Sequence, residues 1–148
     1  MRGRRTAPET IVVDATAGDG PVGVPDAPGA PVLIGIVGRE PADSALRIGF
    51  AEADRRAGPV VVLGVGPAGD AAEEAGPADA AGRWSDKYPD VPVTVVERRT
   101  VDAAVTLTAA SRSAGLLVLQ LSPAPAVAAV ADVVRHRAAC PVILVRDL

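Results

Sequence analysis

From residue 31 onward, apolar and β-branched runs recur at Val32–Val37, Val60–Val65, Val91–Val96, Leu116–Leu121 and Val142–Val145. Their starts lie 28, 31, 25 and 26 residues apart, with polar or helix-patterned stretches between them. Three of the runs are nearly continuous rather than alternating, the pattern of strands covered on both faces. Strand–helix units of this length need crossover connections and give a parallel sheet.

The intervening segments carry helical periodicity. Residues 43–57 place Leu46, Phe50 and Ala53 on one face, with Asp43 or Ser44 available as N-cap and Gly58 just past the end. In residues 124–138, Val127, Val130, Ala131, Val134 and Ala138 fall within a narrow stripe. Residues 69–89 are interrupted at Gly76-Pro77, which predicts a short helix, a break and a second helix reaching Trp84. Residues 100–114 contain three threonines, yet Ala103, Leu107, Ala110 and Ala114 share a face. The expected core is therefore an α/β domain over residues 31–148: a five-stranded parallel sheet sandwiched by helices.

Residues 1–30 differ. They hold five Gly and four Pro with almost no periodic apolar pattern, which predicts a flexible N-terminal arm. Thr10-Ile-Val-Val13 is the exception, compatible with a strand added to a sheet edge or with part of the arm; the surrounding composition favours the arm.

Composition removes several functions. Fifteen basic against eighteen acidic residues, with three aromatics (Phe50, Trp84, Tyr88), supply neither the counter-charge nor the stacking platforms of a nucleic-acid binder. A single cysteine, Cys140, excludes an internal disulfide and a cysteine-based metal site, and a single histidine, His136, excludes His-pair metal motifs. No apolar run approaches the ~20 residues that span a bilayer. Arg4-Arg5 resembles a twin-arginine export signal, but only Ile11–Val13 follow as an apolar segment, so the expected location is the cytoplasm. A response-regulator receiver needs clustered acids after its first strand, and Gly35–Glu40 offers one Glu.

Val32-Leu-Ile-Gly-Ile-Val-Gly38, followed by Ser44-Ala-Leu46 and Ala51-Glu-Ala53, resembles the first strand and helix of the universal stress protein family. Leu116–Leu119 is similar to its fourth strand, and Val133–Arg146, with its Cys140-Pro141 turn, to its closing helix and final strand. The resemblance covers residues 31–148. It implies an adenine-nucleotide alpha-hydrolase-like fold with strand order 3-2-1-4-5, counting the runs from Val32. It also implies homodimers that pair through the last strand, here Pro141, Val142, Ile143, Leu144 and Val145.

ATP-binding members carry a G-x2-G-x9-G loop, closed by Ser or Thr, after the fourth strand. Its glycines let backbone N–H groups approach the phosphates beside a helix N-terminus. Here that loop reads Gln120-Leu-Ser-Pro-Ala-Pro-Ala-Val-Ala-Ala129. Gln120 and Pro123 take the first two glycine positions, and Ala128 and Ala129 replace the closing Gly and Ser or Thr. Gln120 and Ala128 are eight positions apart where the motif needs thirteen, and Pro123 and Pro125 carry no N–H. Val37 stands where binders place an Asp. The expectation is no cofactor and no enzymatic activity. The alternative is a member that binds ATP or AMP in a remodelled cleft near Val37, Gly38, Gln120 and Ser122; an enzyme of the wider nucleotide-binding superfamily would need a nucleophile–base pair that the chain lacks.

Gly64-Val-Gly-Pro-Ala-Gly69 is a literal dinucleotide-binding G-x-G-x-x-G after a strand. Against it, Glu97 lies 28 residues beyond Gly69 rather than about 20. Asp70, Glu73 and Glu74 also put negative charge where a pyrophosphate must sit. His136 is placed on the solvent side of its helix and Cys140 reads as a packed thiol. Arg98-Arg99 reads as a solvated pair ahead of an anion site, and Arg2, Arg4 and Arg5 as a slight basic footprint. The functional expectation is a stress-response module acting through dimerisation and contacts with a protein partner, without nucleic acid or membrane.

Overall fold

A computed structural model of the chain describes residues 10–14, 29–38, 42–66 and 77–146. Its strands are β1 (Thr10–Asp14), β2 (Val32–Val37), β3 (Val60–Gly66), β4 (Val93–Arg99), β5 (Leu116–Gln120) and β6 (Val142–Arg146). The helices are α1 (Asp43–Arg56), α2 (Pro77–Lys87), α3 (Ala103–Ala110) and α4 (Pro125–Arg137), with a 3-10 turn at Ser111–Ser113. All six strands form one parallel sheet in the order β1-β6-β5-β2-β3-β4.

The five strands from β2 onward follow the expected order, and the sheet carries one strand more. Thr10–Asp14 is not free arm: it pairs with β6 from Thr10 opposite Val142 to Asp14 opposite Arg146. The reason is an apolar segment meeting an otherwise unpaired strand edge, which long-range pairing supplies and local composition does not encode. The rest of the arm, residues 1–9 and 15–28, lies outside the described residues.

Alternate residues of each strand feed two separate cores. On one face Val32, Ile34, Ile36, Val60, Val62, Val118, Ile143 and Val145 pack under Leu46, Phe50 and Ala53 of α1 and Ala81 of α2. On the other, Leu33, Leu63, Leu117, Leu119 and Leu144 pack against Leu107 of α3 and Ala131 and Val134 of α4. α1 lies close to the sheet because it has no side chain at Gly49: a Cβ there would sit 2.6 Å from Ile34 Cγ1. The end of α1 is closed by Ala57 in the left-handed region (φ 56°), with Gly58 N–H donating to Ala53 C=O at 3.0 Å and Ala57 N–H to Asp54 C=O at 3.3 Å. That is the hydrogen-bond pattern glycine usually serves; here Gly58 is one residue beyond the strained position.

β4 starts later than its apolar run. Val91 is buried in the α1-side core, Pro92 gives its carbonyl to Val60 N–H at 2.8 Å, and β4 begins only at Val93 because a proline has no N–H for the ladder.

Candidate functional site

In an open parallel sheet, ligands bind at the carboxyl ends of the strands where the chain reverses direction across the sheet. Here that point lies between β2 and β5, since the chain proceeds from β2 to β3 and β4 on one side and then to β5 and β6 on the other. The residues named as cleft candidates lie at the carboxyl ends of these two strands: Val37 and Gly38 at the end of β2, Gln120 ending β5, and Ser122 two residues on.

Gln120 reaches from the end of β5 to the start of α1. Its side chain is buried, and its Oε1 accepts the N–H of Ala45, in the first turn of α1, at 3.0 Å. Its Nε2 lies 3.4 Å from the carbonyl oxygens of both Leu121 and Val145. Ala42, which starts α1, has no side chain able to cap the helix. The carboxamide therefore does for α1 what an anion would do: it satisfies a donor at the positive end of a helix.

The start of α4 also has few unpaired donors. Pro123 and Pro125 have no N–H, Ala124 donates to Ser122 Oγ at 3.2 Å, and Val127 and Ala128 donate to the Ala124 carbonyl at 3.0 and 3.2 Å. Between Pro123 and Ala128, among the described residues, only Ala126 keeps an N–H to offer. Val37 places a half-buried apolar side chain at the end of β2. Gly38 turns the chain with φ 60° and donates to Val65 C=O at 2.7 Å; a Cβ on neighbouring Gly66 would lie 3.3 Å from Gly38 Cα. The β2 and β3 ends thus approach closely enough that a side chain at Gly66 would require Gly38 to give way slightly.

The other candidates lie elsewhere. Gly64 and Gly66 are strand residues inside β3, opposite Glu97 and Arg99 of β4, rather than in a turn that follows the strand; Gly69 lies outside the described residues. Arg98 and Arg99 are exposed at the end of β4. His136 is exposed on the last turn of α4, its Nδ1 2.8 Å from the Asp132 carbonyl. Cys140 is buried at the entrance to β6, and burial pushes its thiol up to about 11 against the opposing pull of Arg56. No group of three or more potential metal ligands occurs among the described residues, and no helix there is long and apolar enough to cross a membrane.

β6 is an inner strand. Val142, Ile143, Leu144 and Val145 are all buried within the two cores, and the edge expected to pair with a second copy is taken by β1. Pro141 stands half-buried at the entrance and gives its carbonyl to Leu117 N–H at 2.9 Å.

A polar cluster at the same end of the sheet was not singled out from sequence. Asp102 caps α3 by accepting Val105 N–H at 3.1 Å, and its own N–H donates to Thr100 Oγ1 at 3.0 Å. Thr106 Oγ1 lies 3.3 Å from the same hydroxyl, and Thr100 N–H ties the cluster to Gly66 C=O at 2.8 Å. The signal was present as a Thr-x-Asp just before an apolar helical face.

The fold defined here, a doubly covered parallel sheet with this strand order, is that of the universal stress proteins. A crystal structure of a universal stress protein family member from Burkholderia pseudomallei matches with a TM-score of 0.57 at 21% identity, covering 81% of this chain and 98% of that one. The universal stress protein from Archaeoglobus fulgidus matches with a TM-score of 0.53 at 19% identity, over 79% and 93%. No family sequence model matches the chain, and a comparison with curated proteins finds no match.

Proposed function

We propose that the chain is a universal stress protein-like module of the cytoplasm that does not hold ATP in that family's usual way. It acts in the stress response through protein contacts, pairing with a second copy among them. The observation that carries the reading is the Gln120 carboxamide seated on the Ala45 N–H. A phosphate at the switch point needs free donors at a helix N-terminus. At α1 the donor is taken by a side chain of the protein itself, and at α4 two prolines and two local acceptors remove most of the rest.

The test is a melting curve with ATP or AMP at millimolar concentration. A ligand at a hundredfold excess over its dissociation constant stabilises a fold by about 2.7 kcal/mol. The expected result is no change in melting temperature with either nucleotide. Saturable stabilisation would overturn the reading in favour of a nucleotide-binding member, with Val37, Gly38, Gln120 and Ser122 as the candidate cleft.

A further inference from the structure

Helix α3 lacks the charged outer side that keeps a surface helix in water. Its inner side buries Ala104 and Leu107, yet from Ala103 to Ala110 it carries no charged residue at all. Val101, just ahead of it, is fully exposed, and Val105, one turn on, is 61% exposed. Ala109 and Arg112 continue that stripe at helical spacing. Val133 of α4, also exposed, shares with the stripe a groove of about 230 Å³ lined by Val105, Thr108, Ala109, Arg112, Val133 and Arg137. Thr108 Oγ1 is buried without a hydrogen-bond partner.

The groove is positive and its charges are unanswered. Arg112 stands in the turn after α3 and Arg137 ends α4, and neither enters an ion pair among the described residues. The one acid of α4, Asp132, lies instead against Arg135 at 3.5 Å and His136 Nδ1 at 3.8 Å. A cation at the carboxyl end of a helix is favourable in itself, which accounts for the two arginines but not for the valines beside them. Size then decides what fits. The volume holds one branched apolar side chain and falls below the ~300–1,000 Å³ of sites that bury whole small ligands.

We propose that the α3–α4 groove is the docking site for an acidic segment of a partner protein. The segment seats one apolar side chain between Val105 and Val133 and sets its carboxylates on Arg112 and Arg137. The inference rests on the reading that the chain acts through protein contacts, and it names the surface and the chemistry of the partner. Apolar burial supplies the attraction, while the two arginines select acidic over basic partners.

The probe is a blocked peptide of about 12 residues, Leu at every third or fourth position and Glu between, titrated to about 1 mM into the nitrogen-15-labelled full chain. Saturable shifts are expected at the amides of Val105, Ala109 and Val133 and at the Nε–H signals of Arg112 and Arg137. The same peptide with Lys in place of Glu is expected to bind about tenfold more weakly. Arg112→Glu with Arg137→Glu, both exposed, is expected to weaken the acidic peptide about tenfold and to strengthen the basic one. Val105→Thr keeps the side-chain shape and is expected to weaken the acidic peptide severalfold. If the double reversal does not fold, Arg112→Gln with Arg137→Gln is expected to act in the same direction, to a smaller extent. No saturable shift, equal affinity for the two peptides, or indifference to both arginines overturns the proposal. Shifts centred on another face overturn this site and leave action through protein contacts standing. Failure of the nucleotide reading shows separately, in the melting curve.

Discussion

Helices α1 and α3 both begin at the carboxyl end of the sheet and satisfy their first turns by opposite means. α3 is capped from within, by Asp102 at its own start, in an exposed setting where water can replace the cap. α1 begins with Ala42 and takes its acceptor from Gln120, distant in sequence and buried. A local exposed cap is a small and replaceable contribution. A buried cap from another element ties two parts of the fold together.

Removing the buried acceptor is expected to have the largest effect. Gln120→Leu keeps the volume but leaves the Ala45 N–H without a partner, at a cost of about 2–3 kcal/mol in urea unfolding. A loss below half a kcal/mol would mean the carboxamide is not the cap of α1.

Cys140 sharpens the comparison from the other side, as a buried group whose titration is set mainly by burial. Its thiol is raised from 9.0 to about 11, so the folded chain holds this proton more tightly than the unfolded chain. That contribution is complete below pH 9 and is lost as pH rises toward 11, on the order of 2 kcal/mol in total. Cys140→Ala should flatten the decline over that window, and thiol labelling of the wild type at pH 7.5 should proceed no faster than unfolding.

At the exposed start, Asp102→Ala is expected to cost about 1 kcal/mol and Asp102→Asn much less. Equal losses for Asp102→Ala and Gln120→Leu would erase the distinction between the two helices. The smallest effect is a gain: Ala57→Gly relieves the left-handed residue closing α1 and should raise stability by about 0.5–1 kcal/mol.

Most of the sheet and its helical layers were legible because their signals are local. Runs such as Val32–Val37 and the Val127–Val134 stripe announce a strand or helix face within their own neighbourhoods, and both appear at those positions. The β1 strand was left open between edge strand and arm, since three apolar residues, Ile11–Val13, in a Gly- and Pro-rich stretch acquire structure only from an edge more than a hundred residues away. The site was half legible. Sequence placed Gln120 where a phosphate-loop glycine would stand, but not that its carboxamide reaches the start of α1. Nothing in the spacing of Gln120 and Ala45 encodes a contact that exists only because β2 and β5 are neighbours. The same limit applies to Val142–Val145, whose apolar pattern reads equally as an edge or an inner strand until the pairing is known.

The central claim is that Gln120 holds the donor a phosphate would need, and the Ala45 amide reports on it directly. Followed by nitrogen-15 NMR while magnesium-ATP is added to several millimolar, that resonance is expected to stay in place and remain protected from hydrogen exchange. A saturable shift of the Ala45 amide, accompanied by movement of the Gln120 side-chain signals, would contradict the account.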